Sequence, residues 1–145
     1  MSTPASLTVV RRFFDAFNQG DTQAFQEIFS QDYICHVGGA PEPAVGLAAN
    51  REAEAYFRTA FSGMHWTVDD IFAAGDQVVV RRTWSMKHTG PFQGLPATGR
   101  TLAGTGIDIF RVRDGRIVEQ WTESDNLSFM QQLGALPETD REPGL

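Results

Sequence analysis

Cysteine is nearly absent, with Cys35 the single one in 145 residues. No intrachain disulfide can form and no thiolate-rich metal site is available, which fits a reducing compartment. Positive charge is also scarce. Twelve Lys and Arg stand against 18 Asp and Glu, giving a net charge of -6, and the basic pairs Arg11-Arg12 and Arg81-Arg82 are isolated. Nucleic acid, which is held by clustered cations that displace counterions, is therefore excluded as a partner. Long apolar runs are missing too, and Met1–Ser6 has neither the charged start nor the apolar stretch of a signal peptide. A cytoplasmic protein that does not engage a membrane is the expectation.

Several chemistries lack their sequence signatures. There is no HExxH, no phosphate-binding glycine loop, no GxGxxG and no Gly-x-Ser-x-Gly. The histidines, at 36, 65 and 88, have no metal-ligand spacing. A site without metal or cofactor is expected.

What the chain does hold is phenylalanine, 11 of them against 2 Tyr and 3 Trp. That composition suits a core or a pocket walled by unreactive rings. Thr8 to Asn18 carries Val9, Val10, Phe13, Phe14 and Phe17 at helical spacing, and Gly20 can close the helix in the left-handed conformation. Asp21 suits the N-cap of a second helix over 22–29. Gln31 to Val37 reads as a short extended segment and Gly38 to Pro43 as a loop. A third helix follows over 48–61.

From His65 the apolar period changes to two. Strands are expected over 65–73, 77–89, 102–113 and 116–126, with Asp114-Gly115 a strong hairpin turn. A short helix over 127–133 ends at Gly134. Helices first and antiparallel strands afterwards give an α+β order: a curved sheet wrapped around three N-terminal helices. The chain divides into a tail over 1–6, one domain over 7–134, and a charged, proline-broken tail over 135–145, which is expected to be flexible.

Candidate site residues follow from strand parity. Val78, Val80, Arg82, Trp84, Met86 and His88 share one face of their strand, so His88 points to the covered side, as a pocket residue or a core-edge histidine. Ile117, Glu119, Trp121, Glu123 and Asp125 share a face if no bulge intervenes. Asp125 beside an indole would suit a proton carrier, and it equally suits the N-cap of the last helix. Asp108 lies in a strand whose alternate positions, Gly104 and Gly106, leave space. That space is either ligand room, with Asp108 as the acid-base group, or part of a polar outer face, and the outer face is the expectation. Tyr33 and His36 could each donate to a carbonyl or serve structure. Phe14, Phe57, Trp84 and Trp121 are candidates for apolar walls or plain core.

Several segments taken in order resemble a known family. They are Val10-Arg11-Arg12-Phe13-Phe14, Asn18-Gln19-Gly20-Asp21, Asp32-Tyr33-x-x-His36, His88-Thr89-Gly90-x-Phe92-x-Gly94, Gly106-Ile107-Asp108-Ile109-Phe110-Arg111 and Asp114-Gly115-Arg116-Ile117-Val118-Glu119-x-Trp121-x-x-x-Asp125-x-Leu127. From about Leu7 to Gly134 the chain resembles the SnoaL-like polyketide cyclases, of the nuclear transport factor 2-like (cystatin-like) superfamily. The resemblance implies a cone-shaped α+β barrel, a homodimer or higher homo-oligomer joined through the outer sheet face, and a hydrophobic small-molecule substrate. It also implies cofactor-independent aldol ring closure by one inward Asp, matching Asp125, with His88 as polar partner. The family often places His before the last-strand Trp and Asp after it, where this chain has Gln120 and Thr122. Two other functions remain open: epoxide opening in the manner of limonene-epoxide hydrolases, using Asp108, Arg82 and Asp125, and a non-catalytic ligand-binding or dimerisation module.

Overall fold

The computed structural model describes residues 4–136. Helix α1 spans Ala5–Gln19, so it begins inside the segment expected to be tail. The rest of both tails, 1–3 and 137–145, lies outside the described residues. Gly20 closes α1 at φ 71°, donating its N–H to the Ala16 and Phe17 carbonyls. Asp21 then accepts from the Ala24 N–H at 3.4 Å. The second helical stretch is shorter than its pattern suggests: a 3-10 turn over Thr22–Ala24 leads into α2, Phe25–Ile28.

Two strands precede the third helix. Strand β1 runs Phe29–Val37, longer than the expected extended segment, and β2 is the pair Ala44–Val45 directly after the Gly/Pro loop. Helix α3, Leu47–Ala60, passes directly into β3, Phe61–Ala74. The remaining elements are β4 (Gln77–His88), β5 (Thr101–Arg113), β6 (Arg116–Ser124) and α4 (Asn126–Leu133). Asp114 and Gly115 turn the β5–β6 hairpin with φ of 51° and 75°, the positive pair that a tight primed turn requires.

One six-stranded sheet results, in the order β2-β1-β6-β5-β4-β3. Every neighbour pair is antiparallel except β1 with β6. Irregular register within the β3–β4 and β5–β6 pairs adds local twist and bend of the kind that curls a sheet. The fold is α+β, with helix α1 against the concave face.

Two apolar clusters fill that face. Val10, Phe14, Phe25, Phe29, Val78, Val80 and Phe110 form one, and Phe61, Trp84, Met86, Leu102 and Leu133 the other. On β4 the boundary between them falls at Arg82, which is 5% exposed. A guanidinium at that position has to be paired. No described helix is long and apolar enough to cross a membrane.

Candidate active site

Strand β4 alternates as its sequence indicates: Val78, Val80, Arg82, Trp84, Met86 and His88 are all buried. Its neighbour β5 turns Leu102, Gly106, Asp108 and Phe110 inward. Asp108 is 1% exposed, on the inner face, which corrects its expected place on the outer one. The spaces over Gly104 and Gly106 are not open ligand room. A Cβ on Gly106 would lie 2.7–2.8 Å from the Arg82 guanidinium, and one on Gly104 would lie 2.5 Å from the Trp84 ring. Each glycine seats the side chain that its register partner on β4 sends across it.

Strand β6 departs from simple alternation. Arg111 pairs with Glu119, whereas Val112 pairs with Ile117, so Val118 is an extra residue and a bulge. Beyond it the faces exchange. Gln120, Thr122 and Ser124 meet the cavity side, and Glu119, Trp121 and Glu123 turn outward. Trp121 therefore stacks outside the sheet on His36, with centroids 5.2 Å apart and planes at 7°. His36 Nε2 is 2.7 Å from Glu119 Oε2. Neither residue lines the concave hollow, correcting their expected places as substrate contacts.

Asp125 is exposed. Strand β6 ends at Ser124, and the Asp125 carboxylate accepts the Ser128 N–H at 3.0 Å as the N-cap of α4. The capping role holds, and the inward acid-base role does not fit this geometry. His88 is fully buried, but it sits against Phe61 with centroids 5.3 Å apart. Its Nδ1 accepts the Thr98 N–H at 3.2 Å and is 3.0 Å from Thr98 Oγ1. It packs on Phe61 of the second core cluster, and its hydrogen bonds go to Thr98, not to Asp125.

The groups brought together are others. Arg82 Nε donates to Asp108 Oδ2 at 2.5 Å. Its Nη2 donates to Thr122 Oγ1 and Ser124 Oγ, both at 3.1 Å. Nη1 is sealed from solvent with no acceptor among the described residues. Gln120 Nε2 donates to Asp108 Oδ1 at 3.3 Å, and the Tyr33 hydroxyl donates to Gln120 Oε1. Burial, then the neighbouring Cys35 and Asp108, holds the Tyr33 phenol well above its ordinary 10.0. It stays protonated and must donate, which fixes the Gln120 amide with its N–H toward Asp108. Burial likewise raises the Cys35 thiol, against the lowering effect of Tyr33.

Around this cluster lies a hollow of three adjoining lobes. The central lobe, about 190 Å³, is lined by Phe13, Phe14, Phe17, Trp66, Arg82, Asp108, Gln120 and Thr122. A far lobe of about 140 Å³ is bounded by Phe57, Trp66, Arg82, Trp84, Met86, Ser124, Asn126 and Phe129. The third, also about 140 Å³, lies under α3 against Phe13, Phe17, Tyr33 and Leu47. Phe14 lines the central lobe, and Phe57 and Trp84 line the far one. Among the described residues, no group of three or more His, Cys, Asp or Glu is placed to hold a metal ion.

Sequence reasoning missed Gln120, Thr122 and Ser124, because one bulge residue inverts the parity of β6. Arg82 had a signal: a lone cation on the bulky, apolar side of β4, opposite a glycine.

The family model for SnoaL-like polyketide cyclases matches residues 8–133. The chain belongs to the SnoaL-like polyketide cyclase family. Aklanonic acid methyl ester cyclase DnrD of Streptomyces peucetius is 31% identical over 136 residues, covering 92% of each chain. Among solved structures, IdmH from Streptomyces antibioticus is 34% identical with a TM-score of 0.78, covering 89% of this chain and 98% of IdmH. TsrD from Streptomyces laurentii is 31% identical with a TM-score of 0.79, covering 94% and 100%.

Proposed function

We propose that the protein closes a ring in a hydrophobic, polyketide-like carbonyl compound by an intramolecular aldol step, using Asp108 as acid-base group and Arg82 as the holder of negative charge. The observation that carries the reading is the Arg82–Asp108 pair, joined at 2.5 Å on the wall of a hollow otherwise built from aromatic rings. In such surroundings a fixed charge acts strongly on a charge that develops beside it.

The Asp108 carboxylate takes a proton from carbon next to a carbonyl, and the electron pair moves onto the carbonyl oxygen. Arg82 holds that enolate oxygen. The enolate carbon then bonds to a second carbonyl carbon of the same molecule, and the alkoxide formed recovers the proton from Asp108. No atom is gained or lost. The apolar walls hold the two carbons within bonding reach.

Epoxide opening needs a second carboxylate on the other side of the arginine. Thr122 and Ser124 stand there instead, and Asp125 is a helix cap, which favours the aldol reading. The test is to incubate the purified protein with aklanonic acid methyl ester, the compound in DnrD's name, and follow a product of unchanged mass by chromatography and mass spectrometry. Ring closure that disappears in Asp108→Asn supports the proposal. A bound but unchanged ester favours the ligand-binding module.

A further inference from the structure

Arg82 and Trp66 line both the central and the far lobe, with the guanidinium carbon 5.7 Å from the Trp66 ring centroid. Together they form a partition between about 190 Å³ on one side and about 140 Å³ on the other. Away from it Phe13, Phe14 and Phe17 wall one lobe, and Phe57, Trp84 and Phe129, with Asn126 beside them, wall the other. In these two lobes the charged groups stand at the partition, Arg82 serving both and Asp108 the central one.

At the partition Arg82 retains Nη1, a buried donor without an acceptor. Buried charged donors left unmatched are costly, so a ligand that supplies the acceptor gains where an apolar one does not. Asp108 already balances the guanidinium charge. The acceptor that fits is therefore an uncharged carbonyl, because a carboxylate would enter without a counter-charge.

We infer that this site selects molecules whose carbonyl lies between two apolar halves, with the oxygen at the Arg82 guanidinium and one half in each lobe. A carbonyl at the end of a single apolar body is disfavoured. The inference rests on the cyclase reading in placing substrate in this hollow, and it adds where along the substrate the held oxygen lies.

Three compounds test it by titration calorimetry: benzophenone, its isomer biphenyl-4-carbaldehyde with the carbonyl at one end, and diphenylmethane, which lacks the oxygen. Benzophenone is expected to bind about tenfold more tightly than either, the factor that about 1.4 kcal/mol produces. In Arg82→Met its affinity falls to that of diphenylmethane. Nuclear Overhauser contacts from bound benzophenone to both Phe14 and Phe129 are expected in the unaltered protein, so the test does not depend on a variant folding. Equal affinities for the two isomers, a preference that survives Arg82→Met, or contacts confined to one lobe would overturn the inference. Binding uses no turnover, so the two readings separate. The expected preference in a protein that leaves ketoesters unchanged retains this inference and sinks the cyclase reading. Ring closure without the preference does the reverse.

Discussion

Arg82 Nε lies 2.5 Å from Asp108 Oδ2, with both side chains almost wholly buried, at 6% and 2% exposure. A pair so placed is kept only if its remaining donors and acceptors are met, since the desolvation of two charges is large. Gln120, Thr122 and Ser124 meet most of them. The pair sets one carboxylate and one guanidinium in the wall of a hydrophobic hollow.

Gly106 makes this arrangement sterically allowed. A Cβ there would stand 2.7–2.8 Å from three guanidinium atoms, and the strand backbone gives it little room to retreat. Gly106→Ala is expected to cost about 1–3 kcal/mol of stability by overpacking and to reduce turnover by displacing Arg82. Urea unfolding and a rate assay check both. A variant as stable and active as the parent would show that Arg82 does not need that seat.

Tyr33 acts one step behind the site. Its hydroxyl donates to Gln120, and without it the amide is free to flip and present oxygen to Asp108. Tyr33→Phe is expected to lower kcat by up to about 10²-fold, as misplacement of a reacting group does, with KM unchanged. Faster hydrogen exchange of the Gln120 side-chain amide, followed by NMR, is the accompanying signal. Unaltered kcat and amide exchange would remove Tyr33 from this role.

How much of this was legible in the residues depends on what sets each feature. Gly20, Asp21 and Asp114-Gly115 act through their own backbone preferences, so the ends of α1 and the β5–β6 turn could be read directly. The face of β4 could be read because its alternation is unbroken. Asp108 could not be placed, because the fact that decides it is the path of Arg82 across Gly106, a contact between strands. Asp125 was misplaced through Val118: one bulge residue exchanges the faces of β6, and nothing in Ile117-Val118-Glu119 announces it.

Burial raises the Cys35 thiol above its ordinary 9.0 and the Tyr33 phenol well above 10.0. Both groups are neutral when protonated, so the folded state keeps protons that the unfolded state loses first as pH rises. Stability from these groups is therefore fully present below about pH 9 and declines above it. Thermal melts should show the midpoint falling through the alkaline range, less steeply in Cys35→Ala. A profile as steep in that variant as in the parent would show that the thiol contributes nothing to the decline.

The most direct measurement of the central claim compares ring closure by Asp108→Asn and Asp125→Asn. Asparagine caps helices about as well as aspartate, so Asp125→Asn should keep both fold and turnover. Asp108→Asn should lose about 10²–10⁴ in rate, the usual contribution of a general base, while still melting cooperatively. Loss of turnover in Asp125→Asn with activity retained in Asp108→Asn would contradict the account.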